Sequence, residues 1–186
     1  MSGTASDGGG GSESKPAEAS KEDEEAAKQR WVNDLDVIKS ELVFTVPLLM
    51  EHPKCYWIWN YRLWTLNKAI ERLPVPVARK VWEEELGLIT KMLHKDKRNF
   101  HAWGYRRFVV DQLESPELAG KSMIESEFEY TTMKIKEDLS NFSAWHYRSQ
   151  HIPQLLRERN ADDAGRRKLL DDGKLMSTSQ FSKVTC

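Results

Sequence analysis

Apolar positions along this chain fall on helical spacings and seldom alternate. Trp31, Leu35, Ile38, Leu42, Val46 and Leu49 recur three and four residues apart, the stripe of an amphipathic helix. Pro47 lies inside that stripe and predicts a bend or an early end to the helix. Similar stripes return at a long period. Three windows of twenty residues align without a gap: SELVFTVPLLMEHPKCYWIW (40–59), EELGLITKMLHKDKRNFHAW (84–103) and SEFEYTTMKIKEDLSNFSAW (126–145). Their second column is Glu41, Glu85 and Glu127, and their third is Leu42, Leu86 and Phe128. An aromatic column holds Tyr56, Phe100 and Phe142, and each window closes on tryptophan: Trp59, Trp103 and Trp145. Each runs on into a tyrosine and an arginine, Tyr61-Arg62, Tyr105-Arg106 and Tyr147-Arg148. The closing tryptophans are 44 and 42 residues apart. A period that long, with two helical patterns and little strand signal, predicts an all-α fold, an α-α superhelix of stacked helical hairpins. The tetratricopeptide period of about 34 residues is too short, whereas the range of about 40–47 for HEAT-type hairpins fits.

Within each unit, a helix carrying the Glu-Leu pair turns and enters a helix carrying the aromatic, the tryptophan and the arginine. Asn99 and Asn141 stand where the second helix would be capped, and Pro53 and Lys54 occupy the matching turn of the first unit. The aromatic and the tryptophan are three residues apart and so share a face, which predicts that both columns are core. The arginine, three residues further on, lies near that face. A half-buried guanidinium needs acceptors, and the recurring glutamate is one candidate, beside helix-end carbonyls, in its own or the next unit.

Composition sets the boundaries. Residues 1–29 are mostly Gly, Ser, Glu, Lys and Ala, too poor in large apolar side chains to offset chain entropy, and read as a disordered tail. Residues 30–172 hold the repeats. From Gly173 the chain departs from the repeat pattern, without Trp or Tyr-Arg, and reads as a divergent, disordered tail, as in a shortened version of a longer chain.

Lys and Arg number 28 against 29 Asp and Glu, a net charge of -1, which gives no electrostatic case for nucleic acid or an acidic membrane. No apolar run is long enough to insert in a membrane. Cys55 and Cys186 suggest no disulfide framework, which fits a reducing, cytoplasmic setting. Cys186, as the last residue, does not fit the prenyl-acceptor pattern with a cysteine four from the end. The histidines (52, 94, 101, 146 and 151) show no zinc spacing, and there is neither a glycine-rich phosphate loop nor a nucleophile elbow.

What remains is the junction of each unit. Lys54, Arg98 and Ser140 align there, as do Trp57, His101 and Ser143. Two units thus place a cation or an imidazole beside a helix N-terminus, which suits an anion. On the residues alone, Lys54 reads more readily as a solvated turn lysine and His101 as a histidine bonded to backbone at the edge of the interior.

The repeated NF-x-AW-x-YR resembles the repeat of protein prenyltransferase alpha subunits, over roughly residues 40 to 156. RNFHAWGYRRFV and SNFSAWHYRS, followed by IPQL, are most similar to the Rab geranylgeranyltransferase (type II) branch. The branch shared by farnesyl- and type I geranylgeranyltransferases fits less closely. The resemblance implies an alpha subunit that is active only with a beta subunit, and that serves a Rab GTPase delivered by an escort protein. Zinc is implied on the beta subunit, with no cofactor in this chain. In the family, a PK-x-Y junction and an N-aromatic-H-A-W junction contact the diphosphate of the lipid donor, here geranylgeranyl diphosphate. Carried over, Lys54 and His101 are implied catalytic residues, and Tyr56, Asn99 and Phe100 are implied substrate-binding residues, with no metal ligand in the chain. The family's tyrosine at the position of Phe100 is absent, so no hydroxyl is available there. The competing reading is a non-catalytic helical-repeat scaffold that binds a protein on its concave face.

Overall fold

The computed structural model describes residues 20–178, with side-chain surroundings through residue 171. Among them are seven α-helices, one 3-10 turn and no strand: α1 (Lys21–Glu51), α2 (Tyr56–Arg72), α3 (Val75–Lys95), α4 (Phe100–Glu114), the turn Pro116–Leu118, α5 (Ile124–Glu137), α6 (Phe142–Glu158) and α7 (Asp163–Thr178). The principal packings are the hairpins α1–α2, α3–α4 and α5–α6, with α2, α4 and α6 stacked as one layer. The odd helices form the other layer, where Lys39 of α1 meets Glu84 of α3 at 3.6 Å. The all-α solenoid follows the period.

Two boundaries differ from expectation. Helix α1 begins at Lys21, inside the stretch assigned to the tail. Ser20 caps it and forms a reciprocal box with Asp23, and Glu22, Asp23 and Glu24 complement the positive end of the helix. Alanine, glutamate and lysine are good helix formers, so this polar stretch needs little burial to extend a helix already anchored downstream. At the other end α7 continues to Thr178, past residue 172; Lys174, Leu175 and Met176 favour helix, and one glycine costs only about 1 kcal/mol. The rest of the expected tails, 1–19 and 179–186, lies outside the described residues.

Pro47 does not end α1, which runs on to Glu51. Proline removes the hydrogen bond to the Val43 carbonyl, and Val43 is on the solvent side, where water replaces it. In the α4–α5 connection, a Cβ on Gly120 would lie 2.3 Å from the Leu113 carbonyl oxygen, so only glycine permits this turn.

The core runs between the layers through Leu49, Trp59, Leu66, Trp82, Ile89, Leu93, Trp103, Val109, Leu113 and Ile135. Its polar content is ordered by the repeat. Arg62 donates from Nε to Glu85 Oε1 at 2.9 Å and from Nη2 to Oε2 at 2.5 Å. Arg106 makes the same fork to Glu127, at 2.8 and 2.6 Å. Each arginine therefore reaches the glutamate of the following unit. Two members of the tyrosine column reach back within their own unit: Tyr61 donates to Glu41 at 2.9 Å and Tyr105 to Glu85 at 2.8 Å, whereas the buried Tyr147 hydroxyl has no such partner among the described residues. Burial opposes the charge on Arg62, but the hydrogen bonds and charge of Glu85 outweigh it and hold its pKa above the ordinary value. Tyr105 is pushed well above the usual phenol range, by burial first and then by the Glu85 charge.

Candidate functional site

The turns that enter α2, α4 and α6 share one construction. The indole nitrogens of Trp59, Trp103 and Trp145 donate to the carbonyls of Pro53, Lys97 and Leu139, at 3.0, 2.8 and 2.9 Å. Asn99 and Asn141 are N-caps as expected, accepting from the backbone of Ala102 at 3.0 Å and Ala144 at 3.1 Å. Their amide nitrogens face the other way. Asn99 Nδ2 donates to the Pro53 carbonyl of the preceding unit at 3.1 Å, and Asn141 Nδ2 to the Lys97 carbonyl at 2.7 Å. One buried side chain thus caps its own helix and ties down the turn before it.

This bond brings together the segments that carry Lys54 and His101. Lys54 follows Pro53 and directly precedes the α2 cap, while His101 is the second residue of α4. Neither helix has an acidic residue in its first turn, so both N-termini retain their positive potential. Lys54 is exposed and His101 half-buried, and neither side chain has a hydrogen-bond or ion-pair partner among the described residues. Arg98, in the same column as Lys54, is engaged: it forks onto Asp138 at 2.6 and 2.8 Å. The Asp138 carboxyl is held below its usual range chiefly by that hydrogen bond. Ser140, the third member, carries no charge. The aligned column therefore keeps one unpaired cation, Lys54.

Tyr56 and Phe100 open α2 and α4 and are not core. Tyr56 is 58% exposed, Phe100 72% and Phe142 84%, which corrects the expectation that the aromatic column is buried with the tryptophans. A Cα–Cβ bond tilts toward the helix N-terminus, so a ring on the first residue projects off the end of the helix. The tryptophans three residues later have a full turn behind them and pack inward; Trp59 and Trp103 are each 3% exposed. Asn99, by contrast, is buried with both amide ends bonded to backbone, and presents almost no surface to a ligand.

Trp57, aligned with His101 in the junction column, is exposed on α2. A further exposed ring escaped the residue-by-residue reading: Trp64 lies on the open side of α2 with Tyr61 stacked against it at 5.8 Å between ring centres. Phe108, in the Trp64 column, is also exposed. The usable signal was the alignment itself, because this column falls to glutamine at Gln150 in the third unit. The structure thus presents repeated aromatic side chains beside two unpaired donors. Among the described residues no group of three or more His, Cys, Asp or Glu is placed to hold a metal ion, and no helix is long and apolar enough to cross a membrane.

The repeat geometry has a counterpart in known sequences: the protein prenyltransferase alpha subunit repeat matches residues 38–69, 82–113 and 124–150, one match per unit. The chain belongs to this family. Its curated relatives include the Geranylgeranyl transferase type-2 subunit alpha of Saccharomyces cerevisiae, 48% identical over 88 residues, which is 47% of this chain and 25% of that protein. The protein of the same name from Candida albicans is 42% identical over 79 residues, 42% of this chain and 20% of that protein. The one from Homo sapiens is 42% identical over 80 residues, 43% of this chain and 13% of that protein. The matched stretch therefore spans a quarter or less of these relatives. The match gives this chain three copies of the alpha subunit repeat, and these relatives carry the geranylgeranyl type-2 name that the junction motifs resembled.

Proposed function

We propose that this chain acts as the alpha subunit of a cytoplasmic, heterodimeric type-2 geranylgeranyl transferase, moving a geranylgeranyl group from its diphosphate to C-terminal cysteines of Rab GTPases presented by an escort protein. In this reading the beta subunit holds the zinc and most of the lipid pocket. The observation that carries it is the pair of unpaired donors, Lys54 and His101, on two helix N-termini joined through Asn99.

The chemistry follows from charge. A cysteine thiolate forms a bond to the first carbon of the isoprenoid as that carbon's bond to oxygen breaks. The electron pair of the broken bond leaves on diphosphate, so negative charge grows on the departing oxygen. Donors already in place stabilise that charge in the transition state more than in the ground state. Lys54 offers a full positive charge, and His101 offers an N–H from the first turn of α4, where the backbone dipole adds to it. Fixing both on a rigid repeat avoids reorganisation during the step. The exposed rings Tyr56, Trp57, Phe100 and Phe142 supply apolar surface for the beta subunit and for substrate.

The test is co-expression with a type-2 beta subunit, purification of the pair, and measurement of lipid transfer to a Rab protein with paired C-terminal cysteines. A complex that transfers lipid supports the reading. A stable complex without transfer favours the scaffold alternative, which the exposed rings fit as well, and absence of any complex removes the alpha-subunit reading.

A further inference from the structure

We infer that Asn99 is a positioning residue, not a substrate contact: its amide sets the Pro53–Lys54 turn of one unit against the N-terminus of α4 in the next, and so holds Lys54 in register with His101. The inference rests on the transferase reading above for its effect on rate, but on the structure alone for its geometry.

Three observations carry it. The Asn99 side chain is 2% exposed, so a diphosphate cannot reach it. Its Oδ1 is taken by the Ala102 amide and its Nδ2 donates to the Pro53 carbonyl, 46 residues earlier in the chain. The Pro53 carbonyl is also held from its own side by Trp59 Nε1, so the turn is gripped from both units. Lys54 comes next in the chain, and the Cys55 amide then donates to His52 at 2.9 Å, closing the turn that presents the lysine.

The same construction recurs one unit on, where Asn141 holds the Lys97 carbonyl. The cation that follows Lys97 is Arg98, which is bound to Asp138. The repeat therefore contains its own control: two staples of the same construction, at 3.1 and 2.7 Å, only one of which precedes an unpaired cation. Cys55, in the same column of the first unit, makes no side-chain cap bond.

Asn99→Ser separates the two roles of the residue. Serine is a good N-cap and keeps an oxygen for the Ala102 amide, but it is too short to reach the Pro53 carbonyl, which retains Trp59. The experiment measures steady-state transfer by the heterodimer of full chain and beta subunit, together with amide hydrogen exchange of residues 52–56 in the full chain. Circular dichroism verifies that the helices persist.

For Asn99→Ser, the account expects kcat to fall about tenfold, the size of one neutral hydrogen bond lost, with KM for geranylgeranyl diphosphate unchanged. Exchange at Cys55 should quicken by a similar factor. Asn141→Ser should change neither quantity, although it removes the same kind of bond. Unchanged exchange at Cys55 in Asn99→Ser overturns the inference, as does equal slowing by the two variants. A higher KM at constant kcat also overturns it, because that marks direct substrate contact. If the unaltered heterodimer transfers no lipid, the proposed function fails, and the exchange comparison still decides whether Asn99 holds the turn.

Discussion

Replacing Glu85 with alanine is the sharpest perturbation of the fold, because one carboxylate serves two units. Glu85 is 3% exposed, accepts two bonds from Arg62 at 2.9 and 2.5 Å, and accepts a third from Tyr105 at 2.8 Å. Its removal leaves a guanidinium that is 2% exposed with only the Leu42 carbonyl and Thr45 hydroxyl as acceptors. Breaking a buried pair by deleting one partner costs about 3–5 kcal/mol, since the surviving charge stays desolvated. The orphaned Tyr105 hydroxyl adds to this, about 1 kcal/mol or more. For a chain of this size about 4 kcal/mol corresponds to a melting point lower by roughly 8–16 °C. The assay is thermal and urea unfolding followed by circular dichroism, beside Lys39→Ala, which cuts the solvent-exposed Lys39–Glu84 pair and should cost about 0–1 kcal/mol. A second comparison, Arg62→Met with Glu85→Leu, removes both charges and should recover part of the loss, because apolar replacement of a buried pair is often tolerated. If Glu85→Ala costs no more than Lys39→Ala, the units are not locked by this pair and the reasoning is wrong.

Two further predictions concern titration and exposure. Burial holds the His151 pKa below the ordinary imidazole value, with Arg106 acting in the same sense and Glu127 against it. Around it lie Tyr147, Arg107, Asp111 and Glu114 in a cavity between α4, α5 and α6. The unfolded chain then binds the proton more tightly, so this contribution is complete above about pH 6.5 and is lost as pH falls from there through the folded pKa. Urea melts at about pH 7.5 and 5.5 should show a drop that His151→Gln reduces; an equal drop in both proteins refutes it. The depressed carboxylates Asp138, Glu137 and Glu158 lose their contribution in a more acidic window, below about pH 4.5, and do not confuse the comparison. For the aromatic columns, Phe142→Ser should alter stability by no more than about 0.5 kcal/mol, whereas Trp103→Ala should cost about 3–5 kcal/mol. Comparable losses would return the first-residue rings to the core.

Much of this architecture was legible because a repeat is its own alignment. Three copies in register exposed the caps at Asn99 and Asn141, the inward tryptophans, and the arginine that needs a carboxylate. Which glutamate it takes was not legible, since spacing alone does not say that Arg62 passes over Glu41 for Glu85 in the next unit. The exposure of Tyr56, Phe100 and Phe142 was missed for a physical reason: apolarity and three-residue spacing argue for a shared face, but the first residue of a helix directs its ring past the end. The start of α1 was hidden because composition signals the absence of a core, while a capping box and good helix formers can extend a helix without one. At the candidate site, alignment gave the junction columns and the family resemblance singled out Lys54 and His101 within them. Only the structure separates Lys54 from Arg98, since the Asp138 partner lies 40 residues away in sequence. Only the structure, too, shows Asn99 buried with both ends of its amide bonded to backbone.

The central claim is that Lys54 and His101 stabilise the charge on a departing diphosphate. Single-turnover transfer of a geranylgeranyl group by the assembled heterodimer tests it most directly, comparing the unaltered chain with Lys54→Ala, His101→Ala and the double variant. The account predicts that each variant still pairs with the beta subunit, and that each single change slows transfer by about 10²–10³, the order lost with one preorganised oxyanion donor. Rates equal to that of the unaltered heterodimer, in complexes of normal assembly, would contradict it.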